Sequence, residues 1–332
     1  MAARRFAAAL AALLLASTGC SDPTGYERYG GSTMGTYYQV TARCPDDVSS
    51  LIENELAAVN DEMSTYLPES TLSRFNAAPA GAWFPVNREV ARVARAALEL
   101  SRASDGAFDV TVGPLVNLWG FGPERQEQAP SREAVAAVLD RIGYRALEVS
   151  LSPPRLRKHG ALYVDLSAIA KGHGVDRVAA RLQDAGCDAL LVDVGGDMKA
   201  SGRNPSNEPW RIGVEVPDPA SRGAVQQVVR LEERAAATSG DYRNFRERDG
   251  RRYSHTIDPR TGYPVEHGLA SVTVLHESAM WADGYATALS VLGAEEGLAF
   301  ARRHDLAAMF VVRGENGFEE RYTPGFEAAL ID

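Results

Sequence analysis

One acidic and one hydroxyl side chain near the C-terminal end of the chain could bind a divalent cation. Asp283 and Thr287 are four residues apart in the segment 278–287, so a helix would place both on the same face. A carboxylate and a hydroxyl are hard oxygen ligands that suit magnesium, which fills the rest of its coordination sphere with water and substrate phosphate. The structural alternative is an aspartate near a helix start, with a threonine packed on the next turn.

A second group of residues, 165–172, could bind an anion or a donor-rich ring. An apolar segment ends in Asp165, small residues follow, and Lys171 lies in the first turns of a predicted helix. Exposed amides at a helix start and a nearby lysine form a suitable anion site, and Asp165 could accept hydrogen bonds from a ring. The alternative is an acid that caps the helix and a solvated lysine. The glycine spacing differs from that of a Walker loop.

A third group combines small hydroxyl residues, glycine and a histidine. Thr238, Ser239 and Gly240 are followed by His255, which directly precedes the turn sequence 258–262. Glycine among small residues lets the backbone approach a ligand closely, and the proline in the turn fixes one dihedral angle. His255 could therefore act on a substrate, although a lone histidine is also compatible with a structural role.

The elements that must position these groups are helices interspersed with strands. Apolar spacing and capping residues predict helices over about 50–63, 87–98, 131–143, 167–185, 277–292 and 294–304. Alternating or continuous apolar runs predict strands over about 36–42, 162–166, 189–194, 211–216, 225–231 and 269–275. Because the strands after residue 189 follow one another across short turns, the pattern favours an α+β fold with largely antiparallel sheets over a doubly wound fold.

Composition narrows the class of protein. The chain has 332 residues, 45% hydrophobic content and a net charge of −9, which excludes intrinsic disorder and argues against nucleic-acid binding through the overall field. The three cysteines, Cys20, Cys44 and Cys187, are too few and too scattered for a disulfide framework or a cysteine zinc site. Cys44 and Cys187 could pair in an oxidising compartment, but since sequence separation gives no geometric reason for a bond, we expect them to be unpaired.

The N-terminal segment is typical of an exported lipoprotein. Two arginines precede the apolar run 6–16, which is short for a membrane span but suits a signal peptide. The following Ser-Thr-Gly-Cys resembles a bacterial lipoprotein cleavage site, so we expect a signal peptide over 1–19 and lipidation at Cys20. Ser17 departs from the usual leucine, and an ordinary secretory signal is the alternative. We expect residues 20–31 to form a lipid-anchored tether and residues 32–332 to form the folded domain.

Six stretches of the chain, in this order, resemble the FAD:protein FMN transferase (ApbE) family. Each stretch alone is weakly specific, but together they extend from about residue 30 towards the C-terminus and keep the motif order of the family. They are 32–36, 165–172, 194–197, 238–240, 254–262 and 282–287.

The resemblance implies an ApbE-like, T-fold-related α+β architecture and a specific set of site residues. The implied activity is magnesium-dependent transfer of the FMN moiety of FAD to a threonine or serine hydroxyl of a target protein, with release of AMP. The implied FAD contacts are Met34, Tyr66, Ala107, Phe108, Asp109, Asp165, Lys171 and Ile257. The implied magnesium ligands are the Asp283 and Thr287 side chains and the Ala168 carbonyl. His255 and Asp283 are the candidates for accepting the hydroxyl proton.

Two other functions are compatible with the same residues. Water could replace the acceptor hydroxyl, which would make the chain an FAD pyrophosphatase that yields FMN and AMP. A non-enzymatic flavin-binding lipoprotein would need the pocket but not the metal ligands. For the transferase, we expect a target in a membrane redox complex and a location outside the cytoplasm, tethered to the inner membrane and facing the periplasm or the cell exterior.

Overall fold

A computed structural model of the chain describes residues 24–122, 128–221, 223–241, 245–248, 251–315 and 317–331. The predicted signal peptide 1–19 and lipidation site Cys20 lie outside these ranges. In the part of the chain that they cover, no helix combines the length and the apolar character that a membrane span requires.

The strands build one large antiparallel sheet and several small ones. In chain order they are β1 (Glu27–Thr33), β2 (Thr36–Arg43), β3 (Phe84–Pro85), β4 (Leu147–Leu151), β5 (Pro154–Lys158), β6 (Ala189–Val194), β7 (Asp197–Ser201), β8 (Trp210–Glu215), β9 (Val225–Leu231), β10 (Ala235–Gly240), β11 (Phe245–Arg248), β12 (Arg251–Ser254), β13 (Ile257–Asp258), β14 (Tyr263–Pro264), β15 (Leu269–His276), β16 (Ala307–Gly314) and β17 (Gly317–Tyr322). The large sheet has the order β1-β2-β6-β7-β10-β15-β16-β17 with every neighbouring pair antiparallel. The predicted α+β class with antiparallel sheets is confirmed.

The described residues also form eight α-helices, and the two longest pack on the large sheet. The eight are α1 (Ser49–Met63), α2 (Thr71–Ala77), α3 (Arg88–Ala103), α4 (Gly113–Leu118), α5 (Arg132–Leu139), α6 (Ser167–Asp184), α7 (Ala279–Arg303) and α8 (Pro324–Glu327). Val40 of β2 and Val192 of β6 share a buried cluster with Val178 of α6, and α7 packs on β10 and β15. The β8–β9 hairpin and α8 supply buried side chains, such as Trp210 and Phe326, to a separate cluster with other residues of the sheet.

A glycine divides α7 into the two helices that the sequence predicts. Gly293 has a φ of 76°, a left-handed conformation that interrupts the helix and that glycine adopts without steric cost. The ring of His267 lies where a side chain at this position would begin, so the close approach also requires glycine. The first half of α7, before this kink, packs against α6 and includes the contact between Asp283 and Gly172.

One predicted strand and one predicted boundary are wrong. The segment 162–166 forms no strand, and the Asn76 side chain, in place of a neighbouring strand, bonds both the N–H and the carbonyl of Val164 at 2.8 Å. The predicted tether 20–31 is too long, since β1 begins at Glu27 and pairs with β2 along its full length. Tyr26 is already buried, in edge-to-face contact with Trp210.

The expectation of two free cysteines in the folded domain is also wrong. Cys44, which follows β2, and Cys187, which precedes β6, form a disulfide. Because β2 and β6 are antiparallel neighbours with Arg43 opposite Ala189, the two cysteines lie beside each other at one end of the pair. Strand pairing across the sheet, which sequence separation does not reveal, brings them together.

Candidate active site

A cavity of about 500 Å³ collects almost all of the predicted site residues. Its wall includes the loop before α4, the starts of α6 and β7, strand β8, the end of β10, the segment 255–259 and the first half of α7. The predicted residues that line it are Ala107, Phe108, Asp109, Asp165, Ala168, Lys171, His255, Ile257, Asp283 and Thr287. Residues from stretches more than a hundred positions apart in sequence therefore share one cavity.

Two helices bring the predicted metal ligands together. Helix α6 presents Ala168 in its first turn, and α7 presents Asp283 and Thr287 on one face. The backbone N–H of Gly172 donates to Asp283 Oδ2 at 3.1 Å. Since the helical partner of residue 172 is the carbonyl of residue 168, the Ala168 carbonyl and the Asp283 carboxylate converge on the same N–H.

A cluster of one half-buried lysine and two buried carboxylates lies beside these ligands. Lys171 Nζ donates to Asp197 Oδ2 and lies 3.8 Å from Asp283 Oδ1. Asp197 is 2% exposed and Asp283 5% exposed. Burial alone would lower the pKa of Lys171, but the two carboxylates outweigh it and raise that pKa. Burial, together with the charge of Asp283, raises the pKa of Asp197, which Lys171 only partly offsets.

The charge and the donor atoms of this cluster fit a magnesium ion. Two carboxylates share one ammonium group, so an additional cation would offset the excess negative charge in a place with little water. Asp283, Thr287 and the Ala168 carbonyl offer oxygen atoms only, which is the preference of magnesium. Across the described residues, no group of three or more His, Cys, Asp or Glu side chains is placed to hold a metal. A site with few protein carboxylates is typical of magnesium that also binds substrate phosphate.

Two other acids that line the cavity stabilise the segments that carry them. Asp109 Oδ1 accepts from the backbone N–H and hydroxyl of Thr111, at 2.8 and 2.7 Å, and its Oδ2 accepts from Tyr144 N at 2.8 Å. Burial raises the pKa of Asp109, although these hydrogen bonds act in the opposite direction. Asp165 Oδ1 accepts from the backbone N–H of Ser167 at 2.9 Å and from its hydroxyl. Both carboxylates thus order the loop before α4 and the start of α6.

Hydroxyl groups and a histidine complete the wall. Thr238 and Thr273 are hydrogen-bonded through their hydroxyls at 2.8 Å, and the Ser239 hydroxyl lies 3.4 Å from that of Thr287. His255 lines the same cavity, with its ring 6.4 Å from the ring of Phe121. A histidine, a row of hydroxyls and the candidate metal ligands therefore face one space.

Two predicted FAD contacts are not among the residues that line the cavity. Met34 lies in the turn between β1 and β2 with a φ of 47°, and its side chain reaches Gly174 of α6. Tyr66 follows α1 and is 69% exposed. The structure does not bring these two side chains to the cavity wall with the others.

Asp197 belongs to one of the six stretches, but the sequence pattern predicts no role for it. Gly195 and Gly196, with φ of 60° and 95°, form the turn between β6 and β7 that places Asp197 under Lys171. Both glycines also line the cavity. One feature of the sequence could have indicated this site: an acidic residue comes directly after a glycine pair that follows an apolar strand.

Fold and site together define a cofactor-binding α+β protein whose cavity combines apolar walls with an oxygen-rich, charged end. Residues 34–310 match the model of the ApbE family. The chain therefore belongs to the ApbE family.

Named relatives and solved structures support this membership over nearly the whole chain. The FAD:protein FMN transferase of Vibrio cholerae is 42% identical, over 98% of this chain and 99% of the relative. The protein of the same name from Haemophilus influenzae is 39% identical over 95% of each chain. The crystal structure of the Pseudomonas stutzeri flavinyl transferase ApbE in its apo form is 44% identical and superposes with a TM-score of 0.84, covering 92% of this chain and 96% of that one.

Proposed function

We propose that this protein is an FAD:protein FMN transferase that moves the FMN moiety of FAD to a threonine or serine hydroxyl of a target protein. The observation that carries the proposal is the single cavity in which Lys171, His255, Asp283 and Thr287 meet. The family membership and the relatives of that name give the same reaction class.

The reaction requires neutralisation of charge at the diphosphate of FAD. The acceptor oxygen forms a bond to the phosphorus of the FMN half, the bond to the bridging oxygen breaks, and AMP leaves with that oxygen. Magnesium, when bound, supplies positive charge to the phosphoryl oxygens. We propose that Asp283, Thr287 and the Ala168 carbonyl hold it.

The remaining side chains of the cavity have distinct tasks in this proposal. Lys171 holds Asp197 and Asp283 in place, since it is hydrogen-bonded to one and 3.8 Å from the other. His255 accepts the proton of the acceptor hydroxyl or orients the phosphate. The apolar part of the cavity wall, which includes Ile257, gives a surface on which a flavin ring would pack.

The deciding experiment is an acceptor mass-shift assay. The protein, FAD and magnesium are incubated with a target domain that contains the acceptor threonine, and we expect a target heavier by one FMN. Asp283→Ala should abolish the shift and retain part of the FAD affinity. Asp184→Ala, at the exposed end of α6, is the matched control and should leave the shift unchanged. An unmodified target with the unaltered protein would refute the proposal.

The same preparation separates the two other functions. Rapid, metal-dependent release of FMN and AMP without any acceptor would favour an FAD pyrophosphatase, whereas slow leakage agrees with a transferase. Full function of Asp283→Ala would favour a flavin-binding protein that does not use a metal.

We further propose that the protein is exported and held at a membrane by a lipid on Cys20, where it modifies a subunit of a membrane redox complex. The disulfide between Cys44 and Cys187 supports a compartment outside the cytoplasm, because disulfides persist under oxidising conditions. Cys20→Ser should move the protein from the membrane fraction to the soluble fraction of the exported proteins. Retention in the membrane fraction would refute the lipid anchor but not the transferase.

A further inference from the structure

The two helices that carry the candidate metal ligands face each other through matching stripes. On α6 the stripe is Ala168, Gly172 and Asp176, and on α7 it is Ala279, Asp283 and Thr287. Each stripe has a spacing of four residues, so its members share one helix face. Hydrogen bonds join the two stripes at two places. Asp176 accepts from the backbone N–H of Ala279, and Asp283 accepts from the backbone N–H of Gly172.

Asp176 fixes the end of this arrangement that lies away from the cavity. Its Oδ1 accepts from Ala279 N at 3.0 Å, and its Oδ2 accepts from Met280 N at 3.0 Å and from the Ser278 hydroxyl at 2.5 Å. The first free N–H groups of α7 are thus satisfied by a carboxylate from another helix, in addition to the cap by Ser278 itself. Lys199 Nζ donates to Asp176 Oδ1 at 2.8 Å.

This contact limits how α7 can slide or rotate against α6. Two backbone N–H groups at the start of α7 bond one carboxylate, which defines the axial position of the helix. The residues four and eight positions after Ala279 move with the helix as one rigid unit. Those residues are Asp283 and Thr287, whose distance from the Ala168 carbonyl sets the geometry of the metal site. Asp176 lines no part of the cavity.

We propose that Asp176 is a positioning residue that sets the register of α7 against α6 and thereby the affinity of the site for its divalent cation. The inference rests on the proposed function. The role is indirect, since the Asp176 carboxylate is occupied by α7 and Lys199.

The test is direct measurement of Mn²⁺ binding to the FAD-loaded protein, followed by the electron paramagnetic resonance signal of free Mn²⁺. Asp176→Asn keeps one acceptor oxygen but loses the charge and the second acceptor, and we expect its Mn²⁺ affinity to fall roughly tenfold, equivalent to about 1.4 kcal/mol. FAD affinity, measured by flavin fluorescence, should change much less, because the apolar wall of the cavity is untouched. Ser278→Ala, which removes one donor to Asp176, should weaken Mn²⁺ binding in the same direction by a smaller factor and serves if Asp176→Asn fails to fold.

The control is Lys199→Met, which removes the positive partner of Asp176 and leaves its hydrogen bonds to α7 in place. We expect near-normal Mn²⁺ affinity in this variant. Unchanged Mn²⁺ affinity in both Asp176→Asn and Ser278→Ala would overturn the inference. The inference would also be overturned if Lys199→Met gained as much Mn²⁺ affinity as Asp176→Asn lost. The change in charge near the site would then explain the effects of both variants without any shift of α7. Absence of Mn²⁺ binding by the unaltered protein would overturn the proposed metal site as well.

Discussion

The crossing of α6 and α7 at Gly172 provides the sharpest test of how the site is built. A Cβ atom at this position would lie 2.1 Å from the Ala279 carbonyl oxygen and 2.5 Å from its carbon. Both atoms are backbone of α7, so no side-chain rotation can relieve the overlap. Gly172→Ala therefore forces the two helices apart.

The required movement can be estimated from the contact. Real Cβ atoms essentially never come within 3.0 Å of another heavy atom, so α7 must retreat by about 0.9 Å or more. A misplacement of about 1 Å at a reacting group costs roughly 100-fold in rate. The stability effect is small by comparison, because overpacking costs about 1–3 kcal/mol while alanine recovers about 1 kcal/mol over glycine in a helix.

We expect Gly172→Ala to fold and to lose about 100-fold in the turnover rate of FMN transfer at saturating FAD and magnesium. The fall in melting temperature should not exceed about 8 °C. The assay is single-turnover mass spectrometry of the acceptor, at a temperature well below the melting transition. Partial recovery of the transfer rate when the magnesium concentration is raised further would indicate displaced ligands and not a lost fold.

Gly174→Ala is the matched control, with the same substitution two residues further along α6. Its Cβ would meet the terminal Cε of Met34 at 2.9 Å, and a methionine side chain can rotate away. We expect activity within roughly threefold of the unaltered protein. Near-normal transfer by Gly172→Ala, or equal losses in both variants, would refute the idea that this crossing sets the geometry of the ligands.

Two further predictions concern stability. Burial, with help from the charges of Arg92 and Arg177, lowers the pKa of His173 to about 3, so below about pH 6.5 the unfolded chain takes up a proton that the folded chain refuses. Stability should fall by about 2 kcal/mol from pH 7 to pH 5 through this residue, and denaturant titrations should show a flatter pH profile for His173→Gln. Reduction of the Cys44–Cys187 disulfide should destabilise the fold by about 2–4 kcal/mol, visible as a lower melting temperature with dithiothreitol, and unchanged melting would contradict a formed bond.

Local sequence signals predicted much of the fold. The helix over 167–185 and the break in α7 at Gly293 agree with the structure because helical spacing, caps and glycine act within a few residues. The strand predicted over 162–166 failed for the opposite reason. Its apolar residues are buried as expected, but whether an extended segment joins a sheet depends on its neighbour, which here is the side chain of Asn76.

The candidate site likewise combines features that the local sequence predicts with features that depend on tertiary packing. Asp283 and Thr287 were predictable as a pair, since four residues on a helix bring two side chains to one face. The buried position of Asp197 under Lys171 was not, because it depends on the turn between β6 and β7 and on the packing of α6 over that turn. The motif 194–197 contains Asp197, but the raised pKa of this residue comes from its burial and from the nearby charge of Asp283.

By itself, the sequence determined the chemical groups, the periodic elements that carry them and, through six ordered stretches, the family. Only the tertiary structure decided that α6 and α7 cross at a glycine, that Asp176 holds the start of α7 and that Cys44 meets Cys187. Each of these contacts joins segments far apart in the chain. Their distance is set by the packing of the whole sheet and its helices, which no short window of sequence contains.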